Sequence, residues 1–347
     1  MKIYQLNNDS VRMRMTNVGC RVLELRTQDR DGNWEDILLG YADPEDVRKD
    51  DAMMNAVVGR VANRIGLGQF ELNGVRYQLP VNSGCNHIHG GLIGFDRKEF
   101  DADELPDGLR FHYRSPDGEE GYPGALDLWV TFSLCGDTLG ITYEAVTDRD
   151  TILNVTWHPY FNLTGGRSGI LSHRLRIASD RIACVDGNGL PTGKFLPVEN
   201  TPFDFRTFHE VGERIGEDHE QLRNAGGYDH PFLLKRALGL PAFPEPAVLT
   251  EESTGRFVAV DTDLPAIQVY TSNFISGGLP GKKGVPYENR SGIALETEFL
   301  PNSIRIEKDP PVILRVGERF RSVTTYRFGV LEKQQLQIRA SSQCCSV

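Results

Sequence analysis

Apolar and polar residues alternate with period two along most of this chain. In "ALDLWVTFSL" the residues Leu126, Leu128, Val130, Phe132 and Leu134 recur at every second position, as expected of a strand with one face buried and one in water. Gly136–Asp137 reads as a turn into "LGITYEAV", where Leu139, Ile141, Tyr143 and Ala145 continue the pattern. "GQFELNGVRYQL" sets Asn73–Gly74 between two alternating arms, a hairpin signal because both residues tolerate the positive φ that a two-residue turn demands. Similar strands are expected near residues 11–17, 21–27, 174–178, 256–260, 266–271 and 321–328. Helical periodicity is scarce; "RTFHEVGERIG", residues 206–216, is expected to form one short helix. No helix alternates with the strands, which argues against a parallel α/β sheet. The pattern predicts an all-β fold, a single large antiparallel β-sandwich spanning residues 1–335. Alternation fades over residues 336–347, which read as a loose C-terminal tail.

Composition narrows the class of partner. The chain has 347 residues, 39% hydrophobic and 25% charged, enough apolar material for a large core. Its net charge of −10 and lack of any Lys/Arg-rich block weigh against nucleic acid and anionic membrane, which need basic patches. The N-terminus "MKIYQLNNDSVRMRM" has no apolar signal region, and no apolar run reaches transmembrane length. Cysteines at 20, 85, 135, 184, 344 and 345 show no CxxC spacing, so they read as reduced thiols of a cytoplasmic protein.

Several motifs invite chemistry and then fall short. "NHIHGG" holds His87-x-His89, which on a strand would put two rings on one face. A metal site needs three or four ligands, and no glutamate follows closely enough to join the pair, so no metal is expected. "SGGLPGKKG" at 276–284 lacks the first glycine and the Ser/Thr of a phosphate loop; it reads as a mobile loop. What remains is a set of polar residues in short aromatic- or glycine-flanked segments: Asn63 and Arg64 in "GRVANRIG", His89 in "NHIHGG", His158 in "WHPYFN", Asp229 in "GGYDHPF", Gln268 in "IQVYTSNF" and Glu296 in "ALETEF". Pro159 holds His158 extended and removes the next backbone donor, which suits a strand that stops pairing. Singly, each residue has an ordinary reading. Arg64 fits a surface charge, Asp229 a loop residue bonding its own backbone, Glu296 the wet face of a strand, and Asn63 and Gln268 partners for buried backbone groups.

Together, these segments resemble the aldose 1-epimerases. The stretches "GRVANRIGLGQFELNGVRYQLPVNSGCNHIHGGLIGFD", "GEEGYPG", "HPYFNLTG", "YDHPF", "VYTSNF" and "LETEFLPNS" occur in family order from about residue 59 to 303. The resemblance implies a β-supersandwich and interconversion of α and β anomers of a hexose of the galactose or glucose type. It implies Glu296 as base, His158 as acid, and Asn63, Arg64, His89, Asp229 and Gln268 as sugar-binding residues. Only protons move in such a reaction, so no cofactor is expected, and the partner is a small-molecule sugar acted on by a monomer or homodimer. The alternatives are an epimerase for another or a phosphorylated aldose, and a non-catalytic carbohydrate-binding relative. A phosphate would want extra cations, and Arg64 is the only one expected near the site.

Two positions depart from the family pattern. Pro159 stands where the family commonly has Ser or Thr, and Glu298 where it commonly has Gln. Alternation points Glu296 and Glu298 to the same strand face, so periodicity cannot say which is the base; the match to "LET" picks Glu296.

Overall fold

The computed structural model describes residues 1–235 and 243–332; the expected tail at 336–347, with Cys344 and Cys345, and the boundary at 335 lie outside the described residues. Two antiparallel sheets dominate. In spatial order the nine-stranded sheet is Asp101–Leu105, Gly108–Ser115, Leu126–Cys135, Thr138–Thr147, Phe320–Val330, Arg256–Thr262, Ala247–Thr250, Arg174–Ile177 and His209–Glu210. The six-stranded sheet runs Tyr160–Phe161, Ile293–Glu298, Ala266–Tyr270, Asp229–Leu233, Arg181–Val185, Pro191–Pro197. A four-stranded sheet spans Ile3–Asn7, Arg12–Thr16, Arg21–Gln28 and Trp34–Asp36.

One apolar core joins all three. Phe132, Ile141 and Tyr326 from the nine-stranded sheet share a cluster with Ile267, Val269 and Leu295 from the six-stranded sheet and with Met13 and Val22. The facing sheets also meet through polar contacts. Tyr326 Oη donates to the Leu295 carbonyl at 3.2 Å, and the Thr297 and Thr324 hydroxyls lie 2.6 Å apart. The β-sandwich expected from alternation is the fold observed. Along Leu126–Cys135 the five alternating apolar side chains are buried and their neighbours mostly half-exposed. Asn73 (φ 53°) and Gly74 (φ 76°) join Gln69–Leu72 to Val75–Gln78, both at the positive φ that their side chains make inexpensive.

The helix expected at 206–216 does not form. His209–Glu210 is an edge strand pairing with Arg174 and Leu175, and turns follow it. The apolar spacing Phe208–Val211–Ile215 serves two clusters, not one helix face. Val211 and Ile215 pack on the main core, whereas Phe208 joins Phe243 and Phe257. The α-helices among the described residues are Glu220–Ala225 and Ser303–Ile306.

The two histidines of "NHIHGG" also part company. The strand ends at Ile88, and His89 takes a left-handed backbone (φ 49°), so period-two logic stops between them. The His87 ring lies 2.6 Å from Tyr122 Oη and 2.7 Å from the Pro80 carbonyl, while His89 turns toward His158. Among the described residues, no three His, Cys, Asp or Glu side chains are placed to hold a metal ion.

Candidate active site

Three neighbouring strands of the six-stranded sheet divide their side chains between core and chemistry. Register places Pro231, Gln268 and Glu296 in one row, Asp229 opposite Tyr270, and Ala266 opposite Glu298. Because strand side chains alternate, Ile267, Val269, Leu295 and Thr297 enter the sandwich. Asp229, Gln268, Tyr270, Glu296 and Glu298 take the outer face. Loops cover that face and leave an open cleft of about 750 Å³, whose lining includes Asn63, Arg64, His89, His158, Asp229 and Glu296.

His158 reaches the cleft at a change of sheet. Thr156–Trp157 pairs with Val57–Val58, and Tyr160–Phe161 pairs with Ile293–Ala294 in the six-stranded sheet. Pro159 lies between, so pairing stops where the sequence suggested. His158 Nε2 stands 3.5 Å from Glu296 Oε1, slightly long for a hydrogen bond. Its Nδ1 has no hydrogen-bond partner among the described residues. Ring packing holds it instead: Tyr160 stacks on it at 4.9 Å between centroids with planes 20° apart, and His89 meets it edge-on at 5.4 Å.

Burial sets the electrostatics. It pulls the His158 pKa down to about 4 and pushes Glu296 well above the usual carboxylate range, with further upward pushes from Glu298 and Asp229. The desolvated pair thus favours its uncharged form, with the proton on the carboxyl and the imidazole neutral. Shifts of opposite sign on a buried acid and base in a cleft are a mark of a proton-transfer site.

The other expected residues surround this pair. Asn63 has a left-handed backbone (φ 57°); its N–H donates to His89 Nδ1 at 3.1 Å and its Oδ1 accepts from Arg64 N at 2.8 Å. Arg64 Nη1 lies 3.9 Å from Asp229 Oδ2. The guanidinium rests against Gly189 (φ +71°), where a Cβ would come within 3.0 Å of it; a larger residue would displace the cation. Gln268 does not line the cleft but stands behind Asp229, donating Nε2–H to its Oδ1 at 2.5 Å.

Other residues were not foreseen. Tyr160 and Tyr270 wall the cleft, and Asn154 binds Glu298 from below at 3.4 Å. Tyr160 and Asn154 lie within the segment around His158, but Tyr160 is placed by pairing with Ala294 and Asn154 by its bonds to Glu298 and Phe299. Arg64 is not the only cation present: Lys49 and Arg97 line the mouth. Both are already paired, Lys49 with Asp46 at 2.8 Å and Arg97 with Asp51 at 2.6 Å. Both lysines of the 276–284 loop are engaged too, Lys282 with Asp36 at 2.5 Å and Lys283 with the Gly166 carbonyl at 2.7 Å.

An imidazole and a carboxyl 3.5 Å apart share an open polar cleft on the outer face of the six-stranded sheet, an arrangement equipped for acid–base chemistry on a small polar ligand. Residues 2–327 match the aldose 1-epimerase family. The chain is 40% identical to the galactose mutarotase of Sus scrofa over 328 residues, 94% of each chain, and 35% identical to the aldose 1-epimerase of Escherichia coli over 326 residues, 93% of each. Among solved structures, an aldose epimerase homologue from C. elegans superposes with a TM-score of 0.88 at 26% identity, covering 95% of this chain and 99% of that one. Galactose 1-epimerase from Lactobacillus acidophilus gives 0.83 at 29% identity and 95% coverage of both. The chain belongs to the aldose 1-epimerase family, whose members interconvert the anomers of aldoses as isomerases.

Proposed function

We propose that this cleft opens and recloses the hemiacetal ring of a neutral hexose of the galactose or glucose type, with Glu296 and His158 as the proton-transfer pair. Glu296 takes the proton from the C1 hydroxyl and His158 delivers one to the ring oxygen. The C1–O5 bond breaks as the C1 carbonyl forms. After rotation about C1–C2 the ring oxygen attacks the other carbonyl face, His158 recovers its proton, and Glu296 returns one to O1. Every proton is restored, so the cycle consumes no co-reactant. Asn63, Arg64, His89 and Asp229 are positioned to hold sugar hydroxyls, which both donate and accept, and Gln268 orients Asp229.

The observation that carries this reading is the 3.5 Å approach of His158 Nε2 to Glu296 Oε1 within the cleft. Contact between the two lets the single proton of the resting pair pass from carboxyl to imidazole, giving the carboxylate base and imidazolium acid that ring opening requires. The same reading keeps the protein in the cytoplasm as a monomer or homodimer acting on free sugar, without nucleic acid or membrane. No helix among the described residues is long and apolar enough to cross a membrane.

Polarimetry of freshly dissolved α-galactose and α-glucose tests the acid. His158→Ala should lower kcat about 10²–10⁴-fold, with KM changing far less. Near-native turnover in that variant would remove His158 from the chemistry.

A further inference from the structure

The strand Ile293–Glu298 buries a second carboxyl that the reaction above does not use. Glu298 is 0% exposed, two residues beyond Glu296 on the same face, and strand geometry separates the two residues by about 7 Å. Its Oε1 accepts from Asn63 Nδ2 at 3.2 Å and its Oε2 from Asn154 Nδ2 at 3.4 Å. Both partners are neutral amides, so this carboxyl lacks the close cation that normally accompanies a buried charge.

Both contacts lead somewhere specific. Asn63 carries the hydrogen bond to His89 Nδ1 and accepts from Arg64 N, so its side-chain bond to Glu298 braces the paired segments that present Arg64 and His89 to the cleft. Asn154 Oδ1 accepts from Phe299 N at 3.0 Å, tying the strand end to the segment that leads to His158. The charged and titratable groups around Glu298 are Glu296 on its own strand, Asp229 from the next strand but one, and Arg64 from the short strand Arg64–Ile65. His158 faces Glu296 at 3.5 Å, and the His89 ring packs edge-on against His158. Three carboxyls thus share a desolvated patch with a single nearby guanidinium.

We propose that Glu298 is a positioning residue for this reaction: it braces Asn63, and through it Arg64 and His89, and it competes with Glu296 for the negative charge that the buried strand face can hold. This rests on Glu296 being the base. Burial pushes the Glu298 pKa up to about 8, and the Glu298 charge in turn pushes Glu296 upward. The two effects separate experimentally, because bracing acts on sugar affinity and competition acts on the pH at which Glu296 can lose its proton.

The experiment is polarimetric kinetics of the full chain on α-galactose from pH 5 to 9. Glu298→Gln keeps the size of the side chain and an acceptor for Asn63 but removes the titration. It should leave KM within about twofold and move the alkaline limb of the kcat/KM profile, where the pair loses its single proton, down by roughly one pH unit, since a like charge near Glu296 is gone. Glu298→Leu also removes the acceptor and should raise KM roughly tenfold. An unmoved limb in a folded Glu298→Gln overturns the competition, and an unchanged KM in Glu298→Leu overturns the bracing. If Glu298→Leu fails to fold, Glu298→Met keeps the length of the side chain, removes the acceptor for Asn63 and should raise KM comparably; an unchanged KM there overturns the bracing equally. Glu296→Gln is the control for the underlying reading. Dead in all buffers, it leaves the Glu298 result to be judged alone; active, it shows that the base assignment has failed.

Discussion

Leu126–Cys135 and Ile293–Glu298 are both antiparallel strands of the same sandwich, yet they treat polar side chains oppositely. In the first, burial alternates strictly until the last residue; in the second, all six residues are buried. The outward side chains of the first stay near water: Trp129 stacks on His112 at 4.9 Å, and Thr131 lies half-exposed. The outward side chains of the second are Glu296 and Glu298, roofed by the loops that carry Asn63 and His158. The same phase of the same periodicity therefore gives a solvated group in one sheet and a desolvated one in the other. A solvated polar group costs little and does little. A desolvated carboxyl destabilises its charged form, and its displaced pKa is what makes it useful for proton transfer.

This contrast predicts where a substitution will be felt. The largest effect outside the acid–base pair should come from the inner face of the nine-stranded sheet. Phe132→Ala empties a fully buried aromatic site and should cost about 3–5 kcal/mol of stability, read by denaturant unfolding, while kcat and KM of the surviving folded enzyme hold. A matching loss of sugar affinity would show that the two sheets do not divide labour as proposed.

Asp229→Asn should do the reverse on the other sheet. It removes the charge facing Arg64 at 3.9 Å but keeps an acceptor for Gln268. We expect KM to rise roughly tenfold, about 1.4 kcal/mol, with little change in melting temperature. An unaltered KM would remove Asp229 from the sugar-binding set. The smallest effect belongs to the wet face. Thr131→Ala should stay within about 0.5 kcal/mol in stability and leave the kinetics untouched; a larger shift would mean that the half-exposed row carries cross-strand energy beyond the usual range.

Much of this architecture is local information. Alternation from Leu126 to Ala145 and the Asn73–Gly74 turn each depend on a few residues, because side-chain direction follows from φ and ψ and glycine relaxes φ on its own. The sandwich, the hairpins and the break in pairing at Pro159 were therefore legible in the sequence, and so was part of the cleft lining, Asn63, Arg64, His89, His158, Asp229 and Glu296, through their segments' resemblance to a family. Tertiary structure decided what local rules cannot reach. It sent Phe208 and Val211 to different clusters and so removed a helix whose spacing looked adequate. It turned His89 away from His87 through a left-handed backbone that no period-two pattern anticipates. It set Gln268 behind Asp229, out of the cleft. Above all it separated Glu296 from Glu298, identical in type and phase, by bringing His158 to the first and Asn63 and Asn154, from 235 and 144 residues away, to the second. Periodicity records which side of a strand a residue occupies; the desolvation and partners that shift a carboxyl's pKa come from chain segments far away in sequence, and only folding brings them there.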